Sequence, residues 1–241
     1  IEWRLGAYVS HDPELLKIAQ ATPGTEEGDL HGQNVKKLFG VPYDEQKLEH
    51  NRPLRVRAKN FLFGAMYGSK GEEVHSVIEK QMLIDPSLAI LGIPTLKEIR
   101  QGIMNVHDIY GRYFKEWVAF AIYDAIEKGC VAYTLYGRPR LLPDLISKDK
   151  QAREAAEREC ISLIIQGSAA DVMRLALKAV EKIPNGRPLL SVHDEIVCGV
   201  DGDGVDEYMM EMDQAMMLGQ PFEGVPLVVN IKAGTNWKEC H

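Results

Sequence analysis

Four side chains spaced four residues apart, inside the segment RVRAKNFLFGAMYGSK, offer the clearest chemistry in this sequence. They are Arg55, Lys59, Phe63 and Tyr67. A step of four residues advances about 400° around an α-helix, so these side chains share one broad face. The cations precede the rings, as the anionic tail of a nucleoside triphosphate precedes its stackable base. The alternative is that the rings belong to a core and the cations to a solvated face.

A second segment, LLSVHDEIVCGV at residues 189–200, places polar side chains between two short apolar runs. The pattern predicts a β-hairpin with His193, Asp194 and Glu195 at its turn. Adjacent carboxylates on a buried hairpin repel one another unless a cation compensates them, and hard oxygen ligands suit Mg²⁺ or Mn²⁺. The alternative is an ordinary acidic turn, because Asp is common in turns.

The composition limits the classes of protein to which the chain can belong but does not identify its function. With 241 residues, 45% of them hydrophobic, the chain can bury the core of one or two domains. The net charge of −7 argues against a protein that is basic all over, although a local basic track still suffices for phosphate contacts. The four cysteines lack metal-ligand spacing and indicate a reducing interior. Each apolar run falls short of about 18 residues, so we expect no membrane span.

Taken together and in this order, the two segments resemble the family A DNA polymerases, the bacterial polymerase I type. That family carries an R…K…F/Y…YG helix in its fingers and a VHDE hairpin in its palm. Further stretches resemble other family motifs in order along the chain: Ile1–Leu5 the end of DYSQIELR, Asp29–His31 the D-I-H after it, Thr134–Arg138 with Pro143-Asp144 the TLxGRRRxLPD motif, Gln166–Asp171 the QGTAAD motif, and Val225–Leu227 with Gly234–Trp237 the closing strand.

The resemblance starts immediately after the Asp of DYSQ, which binds both catalytic metals in the family. It therefore implies that this chain is the C-terminal part of a larger polymerase or one piece of a split one. The thumb and the first palm motif would then lie upstream. A truncated gene fragment is the alternative.

The implied fold class is α+β: a palm, made of an antiparallel sheet with helices, is interrupted by a mainly helical fingers subdomain, and the thumb is absent. We expect residues 1–11 to be a partial palm, 12–125 the fingers and 126–241 the rest of the palm. The sequence pattern predicts these elements: a strand over 1–10, a helix starting at Asp12-Pro13, a strand at 131–135, a long helix at 150–182, a hairpin at 189–200, a helix at 208–217 and a closing strand at 227–231.

The implied reaction is nucleotidyl transfer from a dNTP to a primer 3′-hydroxyl with two Mg²⁺ ions, or Mn²⁺ in their place. Asp194 is the expected metal ligand, and Glu195 supports it. Lys59 is expected to neutralise the triphosphate and to donate a proton to pyrophosphate. These three are the expected catalytic residues, and Arg55 and His31 would hold the outer phosphate oxygens.

Three residues are expected to set nucleotide selectivity. Glu2 occupies the family position that blocks a ribose 2′-hydroxyl, although an ordinary strand-end acid is the alternative. Phe63, instead of Tyr, implies poor acceptance of dideoxynucleotides, because a Tyr hydroxyl can replace the missing 3′-hydroxyl. Tyr67 would stack at the templating position and close against the nascent pair.

The resemblance also implies DNA contacts close to the active site. Arg138, Arg158, Gln166 and His193 match positions that touch primer or template. Donors there can test pairing geometry without reading sequence, because the minor groove presents acceptors on every correct pair. For Arg158 the alternative is a helical ion pair with Glu154.

The chain also departs from the family pattern. Ser162 and Ile164 stand where the family usually has Asn and Pro, and Ser191 stands where Gln is common. Each change removes a hydrogen bond to nucleic acid or alters the local backbone.

The implied partners are primer–template DNA, dNTP and the missing N-terminal part of the polymerase, with no membrane. The implied location is intracellular, in bacterial or host cytoplasm, with a viral or organellar origin left open. Lacking one metal-binding Asp, the isolated chain is expected to be an inactive part of a DNA polymerase. One alternative is a non-catalytic nucleic-acid-binding fragment or subunit of a split polymerase. Another is a related RNA polymerase, against which Glu2 and the HDE tip argue.

Overall fold

The computed structural model of the chain describes residues 1–217 and 222–240. Helices dominate these residues and two antiparallel hairpins supply the strands, so the expected α+β class is confirmed. The predicted second palm segment, 126–241, includes positions 218–221 and 241, which lie outside the described residues. The predicted boundaries between palm and fingers stay a prediction.

The first 127 residues form helices that pack around one another. α4 is central, because it contacts helices on three sides, α3, α5 and α6. The helices are α1 (Glu2–Ser10), α2 (Pro13–Gln20), α3 (Leu30–Phe39), α4 (Arg52–Met66), α5 (Glu72–Ile84) and α6 (Leu96–Glu127). Short 3₁₀ turns lie at Asp44–Lys47, Glu49–Asn51 and Pro86–Leu91.

The remaining residues mix two hairpins with helices. The strands pair as β1 with β2 and as β3 with β4, in two separate two-stranded sheets. The elements are β1 (Val131–Tyr133), β2 (Pro139–Leu141), α7 (Lys150–Ser162), a π-helical turn (Leu163–Gly167), α8 (Ser168–Val180), β3 (Gly186–Val192), β4 (Glu195–Val200) and α9 (Val205–Met217). Further 3₁₀ turns lie at Pro143–Ile146, Gly202–Gly204 and Trp237–Cys240.

Side-chain caps explain where several helices begin. Asp12 caps α2 by accepting the Leu15 N–H at 3.0 Å, with Pro13 at the first helical position, which confirms the predicted start. Thr95 and Glu98 form a reciprocal capping box at the start of α6. The caps therefore fix where α2 and α6 begin.

The strand predicted over residues 1–10 is wrong, because these residues form α1. Leu5 and Ala7 are fully buried. Gly6 lies so close to α4 that an added Cβ would come within 2.7 Å of the Met66 methyl carbon. The Arg4 guanidinium donates to the carbonyls of Ala19 and Pro226. Tertiary packing on several sides therefore determines the secondary structure of residues 1–10. Their burial does not follow the two-residue alternation of a strand.

The predicted closing strand at 227–231 belongs to neither sheet of the described residues. Its burial nevertheless alternates as in a strand: Leu227 is buried, Val229 and Ile231 are half-buried, and Val228 and Asn230 are exposed. These residues therefore have the burial pattern of a strand without pairing in either sheet of the described residues, so the predicted closing strand is not found there.

The predicted long helix at 150–182 is confirmed as the continuous helical run Lys150–Val180, which includes the π-helical turn. An 18-residue window of this run is long and apolar enough to cross a membrane by length and composition alone. Its apolar residues are used in packing, because the run contributes to all three hydrophobic clusters of the described residues. Ile165 belongs to the largest cluster, Cys160 to the second and Val180 to the third.

Candidate functional site

A large cavity of about 990 Å³ is bounded by α1, α3, α4, α5, the π-helical turn, α8 and the β3–β4 turn. It brings together residues that are far apart in sequence, above all Lys59 and Asp194. Four predicted site residues, Arg55, Arg138, Arg158 and Glu195, do not line it. The predicted site residues that do line it are Glu2, His31, Lys59, Phe63, Tyr67, Gln166, His193 and Asp194.

The α4 wall of the cavity is built by a helix with two different faces. Phe61, Leu62 and Ala65 are buried against neighbouring helices. Gly64 packs closely, since an added Cβ would lie 2.8 Å from a Val74 methyl group. The polar stripe is therefore held on the opposite face, and the helix ends at Met66, before Gly68 in the left-handed region at φ 67°.

Cation and rings follow one another along this stripe. The Lys59 ammonium lies 5.9 Å from the centroid of the Phe63 ring, and the Phe63 and Tyr67 rings are near-parallel, 6.3 Å apart. Among the described residues, no carboxylate lies within ion-pair distance of Lys59. Lys59 therefore presents an uncompensated positive charge to the cavity, which favours an anionic ligand.

Tyr67 is tied to α1 across the cavity. Its hydroxyl donates to the Glu2 carboxylate at 2.5 Å. Burial, followed by the negative charge of Glu2, raises the pKa of the Tyr67 hydroxyl. The hydroxyl therefore remains a donor that fixes Glu2 at the edge of the cavity.

His31 lies at the start of α3, with its ring centroid 6.3 Å from that of Phe63. Burial, followed by the positive charges of Lys59 and Arg55, lowers the pKa of His31 to about 4. Its Nδ1 atom is buried and has no hydrogen-bond partner among residues 1–217 and 222–240. Near pH 7 this side chain is a neutral group in a positive environment at the wall of the cavity.

Arg55 is held away from the cavity by a partner that the sequence analysis did not identify. Its guanidinium donates to both oxygens of Asp29, at 2.8 and 2.6 Å. Asp29 also caps α3 through the Gly32 N–H, and Tyr43 donates to it at 3.3 Å. The pKa of Asp29 is lowered, because the hydrogen bonds from Gly32 and Arg55 outweigh the effect of burial. The N-cap pattern before α3 predicts that Asp29 caps the helix, but it does not indicate the bond with Arg55.

The predicted hairpin is confirmed, with His193 and Asp194 in its turn and Glu195 at the start of β4. Val192 pairs with Glu195, so the turn contains two residues, and His193 adopts the left-handed conformation at φ 53°. Asp194 lines the large cavity, whereas Glu195 lines only a second cavity of about 460 Å³ beneath the hairpin. The two carboxylates are therefore not presented to the large cavity as a pair.

The predicted DNA contacts divide into two groups. Gln166 lines the cavity. Arg138 bonds instead to the Asp171 carboxylate at 2.9 Å and to the Gly167 carbonyl at 3.0 Å. Glu154 binds Lys70 at 2.5 Å and not Arg158, which lies beside Gly68 at the end of α4, so the expected DNA contact of Arg158 and its alternative stay predictions.

The second cavity lies between the hairpin and the C-terminal segment. Ile196 and Cys198 of β4 line it on one side and residues 227–234 on another. Helices α8 and α9 close it with Ala176 and Met212. Most of its lining residues are apolar, and Asp194 lines both this cavity and the large one.

The chain is similar to DNA polymerases. A sequence model described as DNA polymerase family A matches residues 1–239. The chain is 31% identical over 242 residues to "DNA polymerase I, thermostable" of Thermus caldophilus, covering 98% of this chain and 26% of that protein. It is 31% identical over 252 residues to DNA polymerase I of Pseudomonas aeruginosa, covering 100% of this chain and 24% of that protein.

The fold is similar to that of a polymerase domain. The solved structure titled "POL domain of Pol1 from M. smegmatis complex with DNA primer-template and dNTP" superposes with a TM-score of 0.78 and 29% identity. The superposition covers 100% of this chain and 39% of that one. The chain spans about a quarter of the length of the curated relatives.

Proposed function

The chain belongs to DNA polymerase family A, and from this premise we propose that its large cavity binds a dNTP beside a primer 3′-end during template-directed DNA synthesis. Residues 12–125 would form the fingers, and residues 1–11 with 126–241 parts of the palm. One observation carries the proposal: Lys59 on α4 and Asp194 on the hairpin tip line the same cavity.

The α4 wall suits the nucleotide. Lys59 would neutralise charge that builds on the triphosphate and could protonate the departing pyrophosphate. His31, neutral near pH 7 and lining the cavity, would donate a ring N–H to a phosphate oxygen. Phe63 would lie against the sugar and base. Arg55 would reach an outer oxygen only after exchanging its Asp29 partner for phosphate.

The residues of the hairpin tip fit a hard divalent cation that also binds phosphate. No group of three metal-ligating side chains occurs among the described residues, but Mg²⁺ in such sites commonly takes one or two carboxylates together with substrate phosphates. Asp194 would hold the ion, or Mn²⁺ in its place. When bound, two such ions lower the pKa of the attacking hydroxyl and stabilise the leaving pyrophosphate. Glu195 would support the tip from beneath.

Glu2 and Tyr67 would select the sugar and the template base. The bond from Tyr67 fixes the Glu2 carboxylate beside the cavity, where it would exclude a ribose 2′-hydroxyl. Tyr67 stacks on Phe63 here, and it would have to release Glu2 or move with it when the nascent pair is enclosed.

Primer and template would lie against the opposite wall. Gln166 and His193 line the cavity and would contact the minor-groove edge of the terminal pair. Arg158, beside the end of α4, would contact the template backbone. Arg138 would act mainly by holding the Gly167 carbonyl, because its guanidinium is already bonded.

The second cavity would receive the part of the polymerase that carries the thumb and the first palm motif. The alternating burial of 227–231, together with β4 across the cavity, fits a sheet into which an extended segment is inserted. Such a segment would bring a second carboxylate to the vicinity of Asp194. Because DNA and dNTPs are its substrates, the assembly would act inside the cell.

Primer extension tests the proposal. The chain is assayed alone and together with a polypeptide carrying the rest of the polymerase domain, including the Asp of the first palm motif. We expect extension only in the mixture, with dNTPs preferred over ribonucleotides.

A preference for ribonucleotides would contradict the role of Glu2. Inactivity of the mixture despite DNA binding would favour the alternative, a non-catalytic nucleic-acid-binding subunit. The lack of a group of three metal-ligating side chains among the described residues is relevant to this alternative.

A further inference from the structure

The helical run Lys150–Val180 widens to a π-helical turn at Leu163–Gly167, immediately before Ser168. Such turns are rare and costly, and they occur often at functional sites. The turn contains no proline, the commonest cause of a distorted helix. Another group must therefore widen the helix, and the contacts of one buried hydroxyl identify it.

We propose that Ser168, together with Ser162, is a positioning residue: Ser168 holds the π-helical turn open, and Ser162 orients the Gln166 amide that the turn directs into the cavity. The role of Gln166 in contacting DNA rests on the proposed function, whereas the geometry of the turn does not.

Ser168 is fully buried and both of its hydrogen-bonding roles are occupied. Its hydroxyl donates to the Ile164 carbonyl, one turn earlier in the same helix. The same oxygen accepts the Leu135 N–H at 2.8 Å. A serine that bonds back to the carbonyl four residues earlier competes with the helical ladder and distorts the helix. Here the distortion is stabilised from outside by the segment after β1.

A second contact fixes the turn against the β1–β2 connection. Arg138 donates to the Gly167 carbonyl at 3.0 Å. An added Cβ at Gly167 would lie 2.9 Å from the Thr134 methyl group and 3.1 Å from a Leu163 methyl carbon. The backbone of the turn therefore approaches the connection as closely as only glycine allows.

The wide turn determines where Gln166 points. Each residue of an α-helix rotates about 100°, so closing the turn by one residue would rotate one flank of the run by that angle relative to the other. Gln166 now lines the cavity. The Ser162 hydroxyl donates to its amide oxygen at 2.7 Å. The amide nitrogen is then left to donate to another group.

The test uses the assembled polymerase that contains this chain and two primers. One primer ends in a normal purine, and the other ends in its 3-deaza analogue, which lacks the minor-groove acceptor. The variants are Ser168→Ala, Ser168→Thr, which keeps the hydroxyl, and Gln166→Ala as the reference. The wild-type enzyme should lose about 3- to 10-fold in kcat/KM on the analogue, the range of one hydrogen bond.

We expect Ser168→Ala to extend the normal primer at the rate of Gln166→Ala. Its kcat/KM should not fall further when the primer ends in the 3-deaza analogue. Ser168→Thr should keep the wild-type loss. The proposal would be overturned if Ser168→Ala lost as much kcat/KM on the analogue as the wild-type enzyme does. It would also be overturned if the Thr and Ala variants showed the same loss. Should Ser168→Ala not fold, Ser162→Ala at a less buried position must reduce the loss on the analogue, and an unchanged loss would be decisive against the proposal.

Hydrogen–deuterium exchange on the chain alone separates this inference from the proposed function. Ser168→Ala should accelerate exchange at the Leu135 amide and across 163–168, whereas Ser168→Thr should not. Should the assembly make no DNA, that result would count against the polymerase function, while the exchange pattern would still support or refute the role of Ser168 in the turn.

Discussion

The two walls of the large cavity are built in different ways. The α4 wall is a regular helix whose functional face follows from side chains placed four residues apart. The opposite wall depends on irregular backbone: Gln166 is directed by a π-helical turn, and Asp194 follows His193 in the left-handed conformation. Regular geometry provides a surface for stacking and charge. Irregular geometry places single polar groups at defined points, at the cost of backbone strain.

The largest effect is expected on the irregular wall. Asp194→Asn removes the carboxylate that would hold the cation but preserves the size of the side chain. Primer extension should fall by at least about 10²–10³-fold, while binding of primer–template DNA is retained. Steady-state extension and a DNA-binding titration measure the two quantities. Glu195→Gln is the matched control, and an equal loss in both variants would mean that the cavity does not distinguish the two carboxylates.

The regular wall offers an internal comparison between its two cations. Lys59 faces the cavity without a carboxylate partner among the described residues, whereas Arg55 is bonded to Asp29. Lys59→Ala should reduce kcat/KM for dNTP by about 10²–10³-fold. Arg55→Ala should reduce it less, because part of the Arg55 interaction is already satisfied by Asp29. Single-nucleotide incorporation measures both. A larger loss for Arg55 would show that this residue leaves Asp29 completely when nucleotide binds.

These two predictions show how much the sequence could reveal. The spacing of Lys59, Phe63 and Tyr67 on one face was predictable, because helical periodicity fixes it. The bond between Arg55 and Asp29 was not predictable, because residue spacing within α4 gives no information about contacts with the N-cap residue of α3. Residues 1–10 were predicted as a strand because close packing of Gly6 against Met66 cannot be read from local pattern. The π-helical turn left no periodic signal at all.

A smaller effect concerns pH. The pKa of His31 is about 4 in the folded chain and near 6.5 when unfolded, so between these values only the unfolded state binds the proton. Stability should therefore fall as the pH is lowered from 6.5 to 4, by about 3 kcal/mol at most from this group. Chemical denaturation at several pH values measures this, with His31→Gln expected to flatten the slope.

His50→Gln at an exposed position provides the matched control for replacing a histidine by glutamine. Binding of a triphosphate should favour protonated His31 and reduce the pH dependence. An identical slope in wild type and His31→Gln would remove His31 as its source.

The smallest effect concerns the sugar. Phe63→Tyr adds a hydroxyl to the ring that would face the sugar, in place of the 3′-hydroxyl that a dideoxynucleotide lacks. Selection against dideoxynucleotides should weaken by about 3- to 10-fold, the range of one hydrogen bond. Competition between dTTP and ddTTP in primer extension measures the ratio. An unchanged ratio would show that this ring of the regular wall does not contact the sugar.

The convergence of the two walls on one triphosphate is tested most directly by photolabelling. The chain is irradiated with a base-azido dNTP in the presence of Mg²⁺, and the labelled peptide is identified by mass spectrometry. We predict labelling within residues 59–67 that unlabelled dNTP suppresses and that Asp194→Asn weakens. Labelling confined to residues outside the cavity, or labelling at 59–67 that Asp194→Asn leaves at full strength, would contradict a shared site.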